Sequence, residues 1–193
     1  IQQCRNHWRN EFGKDLSWEE IVRASVQSGP SKTFIDVDKP IFGLPQADMP
    51  KVIQEDCQQR GQETPQSLGY IARCFYESLA LKFRYNLELL EEISGHRLEL
   101  LHIVGGGTQN KILCQWIADV KGIPVIAGPP ETTSMGNLIM QLKSDGEVEN
   151  LREGREISLR SSSIDRYEPG DKRYWDDAYE KYIHLLQTEK RET

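Results

Sequence analysis

Positive charge is scarce in this chain of 193 residues. Lysine and arginine number 24 against 30 aspartates and glutamates, for a net charge of −6. A chain without a cationic excess lacks the electrostatic footprint that nucleic acids select, so nucleic acid is not an expected partner. Long hydrophobic runs are missing too. None approaches the roughly 20 apolar residues that a spanning helix needs. No signal-peptide pattern is visible, and no membrane partner is expected. Cysteine is sparse, and Cys4, Cys57, Cys74 and Cys114 form no C-x-x-C pair, which argues against a zinc site. With no export signal, the expected location is cytoplasmic, where thiols stay mostly reduced. Whether Cys57 and Cys74 meet is open at this level. Two phosphate-binding signatures are also absent: no Gly-Lys-Ser of the Walker type and no G-x-G-x-x-G. No nucleophile stands with a base, so no catalytic residue is assigned, and no metal site is expected.

What remains is the make-up of an ordinary globular protein, with 37% hydrophobic and 28% charged residues. The chain starts at Ile1 in a segment that already reads as mid-helix, with nothing before it to cap. The expectation is a piece of a longer protein. A first helix over about 1–12 ends near Gly13. Ser17 and Glu20 form a capping box for a second helix, which Gly29-Pro30 ends. Residues 33–38 read as a short strand or extended segment, followed by a loop. Asp48 caps a helix with Pro50 in its first turn that runs to about Arg60. Thr64-Pro65 opens the longest helix, whose stripe Leu68, Ile71, Phe75, Leu79, Phe83, Leu87 and Leu90 steps by three or four. That spacing is the mark of a core face, and Gly95 closes it.

The most informative run is LHIVGGGTQN, residues 101–110. Residues 98–104 read as a buried strand. Gly105, Gly106 and Gly107 follow at once, and then comes an amphipathic helix carrying Ile112, Leu113, Trp116, Ile117 and Val120. Gly122 ends it, and residues 123–127 read as a second strand. Two strands joined by one helix favour a parallel pair. One pair makes a poor sheet, so the rest is expected upstream. A glycine turn ahead of a helix start lets a flat or anionic ligand reach bare backbone. It also serves as a plain strand-to-helix connection. For Asn110 two roles stay open: hydrogen bonding to a purine edge, or a polar group of the helix's first turn. Another helix follows residues 128–130, capped by Thr132 or Thr133. After a less regular stretch, Asp171 caps a last helix with Trp175, Ala178, Tyr182, Ile183 and Leu186.

The other polar residues carry less. His7, His96, His102 and His184 are scattered, and His102 reads as a satisfied buried histidine in the first strand. Asp36, Asp38 and Asp48 are grouped in sequence, but caps and loop solvation explain them better than a metal does. Glu131 precedes a helix start, where the dipole stabilises a carboxylate without any functional role.

The segment 102–137, from HIVGGGTQN through the second strand and Gly128-Pro129-Pro130 to Gly136-Asn137, resembles the adenosine-binding part of the FGGY carbohydrate kinases. The run PIFGLPQADMP, residues 40–50, is similar to a second region of that family. The resemblance runs over nearly the whole chain and fades beyond 150. It implies an α/β fold: the C-terminal portion of the actin/hexokinase-like ATPase fold, helix-rich with a small parallel strand pair. Residues 1–193 would be a single C-terminal, ATP-lobe fragment of a two-lobe sugar kinase. The implied cofactors are ATP and Mg2+. The implied nucleotide contacts are Gln2, Gly105, Gly106, Gly107 and Asn110. The family's catalytic base, phosphate loop and sugar contacts would lie upstream of Ile1. The wording of residues 101–137 is nearest the branch of the family that phosphorylates L-rhamnulose, which would meet the missing lobe. Kinases for glycerol or xylulose, or a non-catalytic ATP-binding lobe of the actin and chaperone type, are the alternatives.

Overall fold

Nearly every helix expected from sequence punctuation forms. A computed structural model describes residues 1–192, with side chains through 188. Its contacts divide the chain into two units, Ile1–Glu88 with Arg173–Thr193, and Leu89–Lys172. Each is described by itself.

The first unit is helical. It contains α1 (Gln2–Phe12), α2 (Trp18–Gln27), a short α3 (Pro40–Gly43), α4 (Met49–Gln59), α5 (Leu68–Ser94) as far as Glu88, and α9 (Arg173–Glu192). Gly13 stops α1 at φ +62. The capping box forms: Glu20 N–H donates to Ser17 Oγ at 3.1 Å, and Ser17 N–H donates to Glu20 Oε2 at 2.8 Å. Asp48 accepts the Lys51 N–H at 3.0 Å ahead of α4. The start of α5 departs from expectation. Ser67, rather than Thr64-Pro65, sits before the helix and accepts the Tyr70 N–H at 3.1 Å.

The burial of α5 also departs from a single stripe. Ile71 is buried, but Leu68, Phe75, Leu79, Phe83 and Leu87 are only partly covered, and Leu90 is exposed. Between Gly69 and Leu81 the helix is buried on most sides, through Ala72, Cys74, Tyr76, Ala80 and Leu81. Small residues there let neighbours come close. A Cβ on Gly69 would stand 2.5 Å from the Ala24 carbonyl oxygen of α2.

Residues 33–38 form no strand. Thr33, Phe34 and Ile35 are buried, residues 37–38 turn, and side chains replace a sheet neighbour. Gln62 accepts the Phe34 N–H at 2.9 Å and donates to its carbonyl at 2.7 Å. Ser78 Oγ accepts the Ile35 N–H at 3.0 Å. A buried backbone group needs a partner, and here distant side chains supply it.

The second unit carries the sheet. Its elements are β1 (Leu101–Ile103), α6 (Lys111–Lys121), β2 (Val125–Ala127), α7 (Thr132–Ser144), α8 (Leu151–Arg160) and β3 (Asp165–Tyr167). The strand order is β1-β2-β3. β1 runs parallel to β2, with Leu101 opposite Val125 and Ile103 opposite Ala127. β3 is antiparallel to β2, so the expected parallel pair is one half of a mixed sheet. α6 presses Leu113, Cys114, Trp116, Ile117 and Val120 into the core.

Three expectations fail in this unit. β1 spans three residues and is not buried, and His102 is exposed rather than a core histidine. A strand at the edge of a three-stranded sheet has cover on fewer sides than a central one. Thr132 and Thr133 do not cap α7. Glu131 holds the N-cap position without a side-chain bond, and Thr132 Oγ1 turns back to the Pro129 carbonyl at 2.7 Å. The stretch expected to be irregular contains α8, capped by Asn150, and β3. Among the described residues no helix is long and apolar enough to cross a membrane.

Candidate functional site

The glycine turn sits between β1 and α6. Gly105 has φ +87, in the left-handed region that favours glycine. Residues Gly106–Gln109 wind a single 3-10 turn. Thr108 is buried beneath it, and its hydroxyl donates to the Gly105 carbonyl at 2.7 Å. The Thr108 N–H donates to the same carbonyl at 3.1 Å.

A second turn braces the first. Gly105 N–H donates to the Pro129 carbonyl at 3.0 Å, and Gly128 N–H donates to the Ile103 carbonyl at 2.9 Å. Gly128 has φ +123, and a Cβ on it would stand 2.7 Å from the Ser163 carbonyl oxygen. The Gly128-Pro129 peptide is cis. Thr108 and Pro129 thus help set the shape of the glycine turn; both stand in the run that carries the family resemblance, but their bonds to Gly105 were not foreseen. A threonine one residue past a glycine triplet was the only local signal.

Gly106 and Gly107 differ from Gly105. Both are exposed, neither has a positive φ, and a Cβ on either would meet nothing within 4 Å. Among the described residues nothing asks for glycine at these two positions. They form a bare, open stretch of backbone directly before a helix start.

Asn110 takes the structural role that sequence left open. Its Oδ1 accepts the Leu113 N–H at 3.1 Å, as the N-cap of α6. Its oxygen is occupied, and the amide NH2 is what it offers to a ligand. Gln2 lies in the first unit, on the exposed face of α1, where its amide donates to Asn6 Oδ1 at 3.0 Å. The structure therefore gathers Gly105, Gly106, Gly107 and Asn110 in one turn and carries Gln2 in the other unit.

The remaining candidates have structural partners. Asp36 and Asp38 both pair with Lys82, at 3.1 and 3.0 Å. All four cysteines are free and buried. Cys57 and Cys74 lie side by side, and the hydrogen bond between them, with burial, raises the Cys74 thiol above its usual range. Burial pushes the Cys114 and Cys4 thiols up to about 11, away from nucleophilic use near neutral pH.

The chain is similar to known proteins in sequence and in fold. The profile of the FGGY family of carbohydrate kinases, C-terminal domain, matches residues 1–144. A rhamnulokinase of Bacteroides thetaiotaomicron is 38% identical over 93% of this chain and 36% of its own length. One of Lactiplantibacillus plantarum is 31% identical over 100% of this chain and 38% of its own length. The chain thus spans about a third of the length of these curated relatives. Among solved structures, Plasmodium falciparum glycerol kinase with ADP aligns at TM-score 0.60 and 14% identity, over 96% of this chain and 36% of that one. Lactobacillus acidophilus gluconate kinase aligns at TM-score 0.57 and 11% identity, over 90% and 35%. These likenesses give the fold: the C-terminal portion of the actin/hexokinase-like ATPase architecture. By sequence profile and by fold, the chain belongs to the FGGY family of carbohydrate kinases, within that family's C-terminal domain.

Proposed function

We propose that this chain supplies the adenosine-binding wall of a cytoplasmic, ATP-dependent kinase that phosphorylates L-rhamnulose at its 1-hydroxyl. One observation carries the nucleotide half of that reading. Gly106 and Gly107 are glycines that nothing among the described residues requires, placed open before a helix start. A nucleoside seated there would pack against bare backbone, and a side chain would stand in its way. Gly105 and Asn110 hold the turn in shape, and the Asn110 amide is free to donate. Gln2 is assigned to the same nucleotide by resemblance. The sugar half of the reading is supported by relatives named rhamnulokinases.

In this reading residues 1–193 are a single C-terminal piece of a two-lobe enzyme. The base that accepts the sugar hydroxyl's proton and the loop that holds the phosphates lie elsewhere in it. ATP brings the γ-phosphoryl group, and the chemistry rests on positioning and charge neutralisation. Magnesium is implied by the family. It is assigned to none of the residues named here.

A panel of ketoses and glycerol, assayed on the intact enzyme, tests the substrate. L-rhamnulose is expected to show the highest kcat/KM, because buried hydrogen-bonding groups left unpaired reject the wrong sugar. Another sugar in first place moves the assignment to that member of the family. Tight ATP binding with no sugar turned over favours a non-catalytic ATP-binding lobe. The 193-residue chain alone is expected to give no turnover above background.

A further inference from the structure

The first turn of α7 carries a hydroxyl that does not serve α7. A threonine at a helix start ordinarily lends its oxygen to the backbone N–H groups of the first turn. Here Glu131 holds the N-cap position without a side-chain bond, and Thr132 Oγ1 donates to the Pro129 carbonyl at 2.7 Å instead. We propose that Thr132 is a positioning residue for ATP, acting through the Pro129 carbonyl on the glycine turn. The proposal rests on the reading of that turn as the adenosine wall.

The bonds form a chain. Pro129 is buried, and a carbonyl oxygen has two lone pairs to satisfy. It accepts the Thr132 hydroxyl and, at 3.0 Å, the Gly105 N–H. On its other side Gly105 offers its own carbonyl to Thr108, which donates its hydroxyl at 2.7 Å and its N–H at 3.1 Å. Both polar groups of Gly105 are therefore held, its N–H by an acceptor that Thr132 orients and its carbonyl by Thr108. The backbone between them has φ +87 and ψ −172. Such a conformation persists only where its surroundings over-determine it. Gly106 and Gly107, the bare stretch proposed to meet the nucleoside, follow it directly.

Threonine suits this task. Branching at Cβ restricts χ1, so the hydroxyl stays aimed at one acceptor. Binding groups act best when supporting contacts hold them within about 0.5 Å of the productive geometry. Without the hydroxyl, the turn at Gly105 gains freedom that nucleotide binding must then remove. A helix that gives up its cap to brace the proposed nucleotide turn sets a local rule aside, which is the pattern of a functional position. Thr133, the next residue, is exposed and has the same chemistry, so it serves as the control.

Steady-state kinetics of the intact enzyme test the proposal, in Thr132→Val, Thr132→Ser, Thr133→Val and Gly106→Val. The valine at 132 keeps the branched shape and removes the hydroxyl, and the serine keeps the hydroxyl. Thr132→Val is expected to raise the KM for ATP by about fivefold, as for one lost hydrogen bond, and to leave the KM for the sugar within about twofold. Thr132→Ser should restore most of that loss, and Thr133→Val should move neither constant. A threonine that only stabilised the fold would lower the fraction of active enzyme, and so kcat, with both KM values unmoved. Where the valine variant does not fold, Thr132→Ala is read by the same criteria. A parental KM for ATP in Thr132→Val, with a raised one in Gly106→Val, overturns the role of Thr132 and leaves the adenosine wall standing. No effect of Gly106→Val on that constant overturns both. Equal rises in the valine and serine variants, or a matching rise in Thr133→Val, also overturn the proposal.

Discussion

Gly105, Gly106 and Gly107 are three identical residues with two different reasons to be glycine. Gly105 bends the chain at φ +87, while Gly106 and Gly107 lie in ordinary backbone with open space where a Cβ would go. Gly105→Ala is expected to cost about 1–3 kcal/mol, because φ +87 with ψ −172 is backbone essentially confined to glycine. Gly106→Ala is expected to leave stability unchanged or slightly raised, since it narrows the unfolded ensemble without strain. Thermal unfolding of the two variants checks this, and an equal loss at both positions would contradict it. Sequence exposed the triplet as a feature but not which glycine serves the fold, because φ is a property of the folded turn. It also left Asn110 between two roles, and the cap bond to Leu113 fills one of them.

The two local caps at α2 and α4 matched their reading, those of α5 and α7 did not, and elements built by distant partners were missed. The Ser17–Glu20 box and the Asp48 cap are contained within a few residues, so their sequence spacing was enough. The 33–38 segment depends on Gln62 and Ser78, 28 and 43 residues away, and no local pattern announces side chains acting as a strand. β3 was missed for a related reason, as its three residues are defined by pairing with β2. Gly69 marks a close helix contact of the same non-local kind. Gly69→Ala would push a methyl to 2.5 Å from the Ala24 carbonyl oxygen, and overpacking of this sort costs about 1–3 kcal/mol. Urea denaturation should show that loss, and an unchanged midpoint would contradict the contact. The box at α2 carries a pH signature. The Lys14 hydrogen bond, helped by Ser17, lowers the Glu20 carboxyl from 4.5 to about 2. A carboxyl lowered in the folded state stabilises above its unfolded value and loses that contribution as pH falls. The stability difference between the parent and Glu20→Gln is therefore expected to be constant above pH 4.5 and to shrink from 4.5 toward 2. A difference that does not vary with pH over that window would contradict it.

For the molecule as a whole, the wording of residues 101–137 reached the family because it records a turn whose two halves brace each other. Gly105 binds Pro129, and Gly128 binds Ile103, so the run is held together in space as well as in sequence. The division of the chain into two units had no such signature, since α5 passes through the boundary as an unbroken helix. Sugar choice was legible only through resemblance to the L-rhamnulose branch, because the proposed adenosine wall would meet the nucleotide and only correlates with the sugar. The central proposal is that this wall meets ATP through Gly106. Steady-state kinetics of Gly106→Val in the intact enzyme tests it most directly, with thermal unfolding confirming an unchanged fold. The KM for ATP is expected to rise by about tenfold or more, a loss near 1.4 kcal/mol of nucleotide binding, while the KM for the sugar stays nearly constant. An equal rise in both constants in a properly folded variant, or no rise in either, would contradict the assignment of this turn to the nucleotide.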